Sequence, residues 1–183
     1  MKWFIVGAGI LGIAGAILIA SAKRRDKRPS DVIDGGVRHY NSGEDAPKVI
    51  ESTDVTEFCM TYSLFALGDT GDLAKGMYSF KAKISDGKVG CEMKWRDRFG
   101  NGDSRSFVAD GSFMKKLHEI VIKHDLAQHN GYSCSVSGLP DMYGAYLNVI
   151  YASSESIYAY NNQHVFLTLD AMKAVFDLFN EWK

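Results

Sequence analysis

Two kinds of hydrophobic pattern divide the chain. From residue 3 to residue 20 every position is apolar or glycine, while beyond residue 53 apolar residues recur with period two or with helical spacing. Between them no apolar period is sustained, and Pro29, Gly35, Gly36, Gly43 and Pro47 punctuate a polar stretch. A helix of about 20 apolar residues crosses the hydrocarbon core of a bilayer. Period-two alternation marks half-buried strands, and spacing near 3.6 marks amphipathic helices. The pattern therefore predicts a transmembrane anchor with a basic flank over residues 1–25, a flexible polar linker over 26–52, and a globular domain over 53–183.

Within that domain, Phe58, Met60, Tyr62 and Leu64 fall on one face of a first strand. Tyr78, Phe80, Ala82 and Ile84 alternate with Lys81 and Lys83 in a second. Asp86-Gly87 then suits the positive φ angles of a type I′ hairpin turn. In a third strand Val89, Cys91, Met93 and Trp95 face in, and Lys88, Glu92, Lys94 and Arg96 face out. A turn at Gly100-Asn101-Gly102 leads to a fourth strand over 105–109. Asp110 or Ser112 caps a helix expected to run to about Gln128, with Asn130-Gly131 as its stop. Three more strands follow, over 132–136, 146–151 and 156–160, and Thr168 caps a last helix. The order ββββ-α-βββ-α predicts an α+β fold, an antiparallel or mixed sheet with helices packed on one face.

Composition adds limits. A hydrophobic share of 46% with 12% aromatic residues is that of a folded chain, not a disordered one. The net charge of −1 gives no basis for binding nucleic acid through overall charge, and none is expected as a partner. Cys59, Cys91 and Cys134 are too few and too far apart for a disulfide framework or a C-x-x-C motif. They read as small buried hydrophobes in a reducing compartment.

The N-terminal run admits other readings. Gly7-Ala8-Gly9-Ile10-Leu11-Gly12 after Phe4-Ile5-Val6 resembles the opening of flavin- and nicotinamide-binding Rossmann enzymes. The context does not follow: residues 13–20 lack the polar face of a Rossmann helix, and no second strand ending in an acidic residue stands about 20 positions on. Ala20-Ser21-Ala22 has the form of a signal-peptide cleavage site, which would export the domain to act at the cell envelope. Lys23, Arg24, Arg25, Lys27 and Arg28 oppose export, and positive charge stays inside. A single-pass membrane protein with a cytoplasmic C-terminal domain is the expectation. Ala8, Gly12, Ala16 and Ala20 recur every four residues, a spacing that lets two such helices pack as a homodimer.

Catalytic and metal signals are weak. His118, His124 and His129 are spaced by six and five residues, not the i, i+4 of paired ligands, and His39 and His164 have no partners at ligand spacing. The oxygen-rich stretch 97–103 lacks the distal Glu of a calcium loop and reads as a hairpin turn. Ser133-Cys134-Ser135-Val136-Ser137-Gly138 is not a nucleophile elbow. No cofactor or metal is expected. The run Tyr-Ala-Ser-Ser-Glu-Ser-Ile-Tyr-Ala-Tyr-Asn-Asn-Gln at 151–163, and Trp95-Arg96-Asp97-Arg98 before a glycine turn, resemble small uncharacterised bacterial membrane-anchored proteins. That resemblance implies a bacterial origin and no particular activity.

The most informative feature is basic charge on strands. Lys81, Lys83, Lys88, Lys94, Arg96 and Arg105 are expected to project from the non-core side of consecutive strands. Tyr132, Tyr143, Tyr146, Tyr151, Tyr158 and Tyr160 crowd the later strands, where they serve equally as strand formers or recognition residues. Together these predict an interaction or scaffold domain at the lipid bilayer, binding a protein partner or an anionic lipid surface through the basic face. The rival expectation is an enzyme whose site assembles only in the fold.

Overall fold

The computed structural model describes residues 32–33, 36–41, 43 and 45–182. The apolar run with its Ala8, Gly12, Ala16 and Ala20 stripe, and the basic cluster Lys23, Arg24, Arg25, Lys27 and Arg28, lie outside the described residues. Among the described residues no helix is long and apolar enough to cross a membrane.

The fold is α+β, a mixed sheet with two helices. The strands are β1 (Val32–Ile33), β2 (Gly36–Asn41), β3 (Val55–Ser63), β4 (Met77–Ser85), β5 (Lys88–Arg96), β6 (Gly102–Ala109), β7 (Ser133–Ser137), β8 (Ala145–Tyr151) and β9 (Ser156–Asn161). The helices are α1 (Gly111–Lys123) and α2 (Leu169–Glu181). Across the sheet the order is β1-β2-β7-β9-β8-β3-β4-β5-β6. Every ladder is antiparallel except β7 with β9, where Ser133 meets Tyr160 and Cys134 meets Asn161. Asn162 prolongs that short parallel ladder with its side chain, accepting from Val136 N and donating to Val136 O.

Local chemistry sets the boundaries. Asp86 and Gly87 both have positive φ, as the β4–β5 hairpin requires. The Asp110 carboxylate accepts from Ser112 N at the start of α1, and the Thr168 hydroxyl accepts from Ala171 N at the start of α2. Helix α1 ends at Lys123, short of the expected Gln128. Asp125 takes a left-handed conformation at φ 50°, which breaks the helix, and a 3₁₀ turn follows over Leu126–His129. Asp is one of the few residues that enters that region readily.

The core lies between the helices and one sheet face. Phe58, Met60, Tyr62, Phe80, Leu147, Val149, Ile157 and Ala159 are fully buried or nearly so. Phe179 of α2 meets Phe80 at 5.1 Å, Phe107 at 6.0 Å and Phe113 of α1 at 5.0 Å between ring centroids. The Tyr62 hydroxyl, deep in this layer, donates to the Met172 carbonyl at 3.2 Å. Edge-to-face rings of this kind add specificity to the area they bury.

The segment expected as a flexible linker is partly built into this fold. Strand β2 pairs with β7 from Val37–Ser137 to Asn41–Ser133. The Glu155 carboxylate accepts the backbone N–H groups of Glu51 and Ser52, each at 3.0 Å. Asn130 donates to Pro47 O, and Lys48 donates to the Asn130 carbonyl. Gly43 and Gly131 approach so closely that a Cβ on Gly43 would stand 2.1 Å from the Gly131 oxygen. Polar composition marked this stretch as irregular, but irregular backbone is fixed here by the side chains of Glu155 and Asn130, in loops far along the chain.

Candidate functional site

Directly opposed residues of an antiparallel pair share a face. On β4, Met77, Ser79, Lys81 and Lys83 stand opposite Arg96, Lys94, Glu92 and Gly90 of β5, and opposite Ser63, Thr61, Cys59 and Glu57 of β3. Lys88 joins them opposite Ser85. All lie on the face away from the two helices. Five of the six expected cations, Lys81, Lys83, Lys88, Lys94 and Arg96, therefore share one exposed surface. Lys83 pairs with Glu57 at 2.9 Å and Lys94 with Glu92 at 2.7 Å. Lys81, Lys88 and Arg96 make no ion pair with the described residues, so basic charge remains in excess.

Arg105 is the exception and corrects the expectation. It stands opposite Met93, on the core-facing side, because alternation puts it on the same face of β6 as Phe107 and Ala109. Its guanidinium lies 5.1 Å from the centre of the Phe107 ring and donates to Asn180 O at 2.9 Å, to Phe179 O at 3.5 Å and to the Trp182 carbonyl. Arg105 thus supplies donors to the open carbonyls at the end of α2, where a cation also suits the helix dipole. Reading it as outward followed from its charge alone; register decides otherwise.

The same alternation carries the outer face past β3. Tyr146 and Asn148 of β8 stand opposite Thr61 and Cys59, and Tyr160 and Tyr158 of β9 stand opposite Tyr146 and Asn148. The Tyr146 and Tyr158 rings meet edge-on at 5.8 Å. Of the six crowded tyrosines, these three reach the outer face. Tyr151 points into the core, where burial pushes its phenol up to about 12, and Tyr132 accepts from Asn161 at 2.6 Å. The outer face is thus basic on β4–β5 and tyrosine-rich on β8–β9, a second half that was visible as alternation but not assigned to this surface.

Two recesses indent the seam between the halves, and both are walled by Thr61 and Met77. One, of about 390 Å³, lies beside Lys94, Arg96, Trp95 and Ser104. The other, of about 180 Å³, lies beside Tyr146, Tyr160 and Asp141. The first offers cations over an apolar floor, the second phenol hydroxyls and amides. Burial raises Tyr146 and Tyr160, so both stay neutral phenols. Burial also raises the Cys59 thiol, with Glu57 adding to the rise and Lys81 opposing it, so no thiolate nucleophile is poised between them.

The remaining candidates do not converge. The Asp97 carboxylate accepts from Phe99 N, Asn101 N and the Asn101 side chain, which fixes the β5–β6 turn and holds its carboxyl below the usual range. His118 packs edge-on against Tyr151, and His129 packs on Phe166 with its pKa lowered by burial. The hydroxyl-rich stretch forms β7. Among the described residues no group of three His, Cys, Asp or Glu side chains is placed to hold a metal ion. No protein-family model matches the chain, and no curated protein is significantly similar to it.

Proposed function

We propose that this chain is a membrane-tethered, non-enzymatic binding domain that takes an acidic protein segment on the outer face of its sheet. The observation that carries the reading is the face itself: five exposed cations on two adjacent strands against Glu57 and Glu92, beside recesses edged with tyrosine. An anionic lipid surface would be served by charge alone. Recesses with an apolar floor and phenol hydroxyls suit a partner that also presents side chains. The N-terminal run would hold the domain at the membrane, with the domain on the cytoplasmic side. Only Pro29, Ser30 and Asp31 separate the basic cluster from β1. At full extension that spans about 14 Å between Arg28 and Val32, so the β1–β2 edge would stay close to the headgroups.

The test uses the full chain in phosphatidylcholine nanodiscs, with fluorescent poly-glutamate as the probe. Binding should weaken as salt rises. The quadruple variant Lys81→Gln, Lys83→Gln, Lys94→Gln, Arg96→Gln should bind at least about tenfold more weakly, a loss of about 1.4 kcal/mol, at unchanged melting temperature. Equal affinity in the variant, or no binding by the natural chain at low salt, would refute the proposal. So would a loss seen with phosphatidylserine vesicles and not with poly-glutamate, which would make lipid the occupant.

A further inference from the structure

On the helix side of the sheet, a recess of about 360 Å³ opens between β5, β6, α2 and the loop that leads from β3 to β4. That volume is in the range of small-molecule sites. Its walls include the rings of Tyr78, Trp95 and Phe176, and Phe176 meets Tyr78 edge-on at 5.8 Å. Asp72 and Asp103 also border it, and neither pairs with a cation among the described residues. Arg105 lines it too, but its guanidinium donates to three carbonyls at the end of α2, where the helix dipole is negative. That leaves two carboxylates without a counter-charge beside three rings. We propose that this recess binds a small organic cation, an alkylated ammonium, held by the rings and the two carboxylates together.

Each part of the wall selects for that class. Aromatic rings attract a cation through their quadrupole, and quaternary ammonium groups are the ligands such rings recognise best. A neutral apolar molecule would bury beside the rings but leave both carboxylates unanswered, and an anion would face them as like charge. The loop that carries Asp72 is fixed in place: the Tyr78 hydroxyl donates to Ala74 O and the Thr70 hydroxyl to Leu73 O, each at 2.8 Å. A wall set before the ligand arrives costs less ordering on binding. Asp103 points inward from an edge strand, which in itself discourages pairing with another strand. Asp72 sits on a loop and has no edge to guard, yet it borders the same recess. A lipid headgroup with the same ammonium brings a phosphate beside it, which the carboxylates would repel, so the occupant is a free solute. The site is separate from the binding reading above, since it uses none of Lys81, Lys83, Lys94 or Arg96.

The test is calorimetric titration of the full chain, in dodecyl maltoside at low salt, with three probes that share one shape. Choline carries the cation, 3,3-dimethylbutanol is its neutral isostere, and phosphocholine adds the phosphate of a headgroup. Choline should bind at least about tenfold more tightly than the isostere, the factor carried by about 1.4 kcal/mol, and more tightly than phosphocholine. Asp72→Asn combined with Asp103→Asn should weaken choline by at least about tenfold and leave the isostere unchanged. Both positions are exposed, so the variant should melt as the natural chain does. The quadruple outer-face variant should bind choline no more weakly than the natural chain. Absence of choline binding, an isostere that binds equally well, or full choline affinity in the double variant would overturn the proposal. Tighter binding of phosphocholine would overturn the free solute in favour of a headgroup, and loss of choline binding in the outer-face variant would move the site off this recess.

Discussion

The two faces of one sheet use the same alternation for opposite ends. On β4 the even positions Tyr78, Phe80 and Ala82 are almost wholly buried, while the odd positions Lys81 and Lys83 are exposed. Inward, Phe80 meets Phe179 and sits in a stack of rings covered by both helices. Outward, Lys83 meets only Glu57, in a pair 70% and 34% exposed. Burial of apolar area stabilises by roughly 25 cal/mol per Å², whereas exposed ion pairs contribute about 0–1 kcal/mol. Stability therefore resides on the inner face. The outer face is free to be specified by something other than folding, and that contrast is the strongest reason to look there for a partner.

The largest effect that would break this contrast comes from Phe179. Replacing it with alanine removes a fully buried ring in contact with Phe80, Phe107 and Phe113. The expected loss is about 3–5 kcal/mol, or a drop in Tm of roughly 10–20 °C. The quadruple outer-face variant should move the same urea or thermal midpoint hardly at all, since solvated substitutions usually stay within about 0.5 kcal/mol each. If the outer variant were the more damaging, the division of labour between the faces would be wrong.

A sharper comparison sets two arginines against each other. Arg105 and Arg96 lie on neighbouring strands but on opposite faces. Arg105→Ala strips the end of α2 of donors to three carbonyls and removes the guanidinium lying over Phe107. Charged hydrogen bonds of this kind carry about 1.5–3 kcal/mol, so a loss of about 2 kcal/mol is expected. Lysine should rescue only part of it, lacking the planar fork that reaches several acceptors. Arg96→Ala should change stability by less than about 0.5 kcal/mol while weakening poly-glutamate binding. Chemical denaturation of the two variants side by side gives the answer, and equal losses would remove the structural role assigned to Arg105.

Those arginines also show what the sequence could and could not reveal. Alternation located β3, β4, β5 and β8, and capping residues located both helix starts, because each depends on neighbours within a few positions. Five outer cations were legible for the same reason. Arg105 was read outward from its charge, although alternation with Phe107 and Ala109 already put it inward; only its target was hidden, on a helix 75 residues away. The outward tyrosines Tyr146, Tyr158 and Tyr160 obey the same period. Yet nothing local says that β8 joins β3, so their union with the lysines appears only in the strand order. The ordering of 45–54 was hidden likewise, since its partners Glu155 and Asn130 sit over 80 residues on.

That last segment supports the smallest and most selective prediction. Among the described residues no carboxylate is buried in the core, whereas residues 51 and 52 are held by one. The backbone N–H of Glu51, the Ser153 hydroxyl and the backbone N–H of Ser52 together hold Glu155 below the ordinary glutamate value of 4.5. A depressed carboxyl contributes fully above its unfolded pKa and loses that contribution as pH falls through its folded one. Hydrogen exchange at the Ser52 amide, corrected for the intrinsic rate, should therefore quicken as pH drops below about 4.5. Glu155→Gln should already exchange quickly at neutral pH and show no such dependence, with a Tm within about 3 °C of the natural chain. The Asp110 cap, whose carboxyl is also held low by Ser112, remains in that variant. Its amide at Ser112 should keep the acid response that Ser52 has lost. If both amides respond alike in Glu155→Gln, the segment is held by packing, and the polar staple assigned to it is not what fixes it.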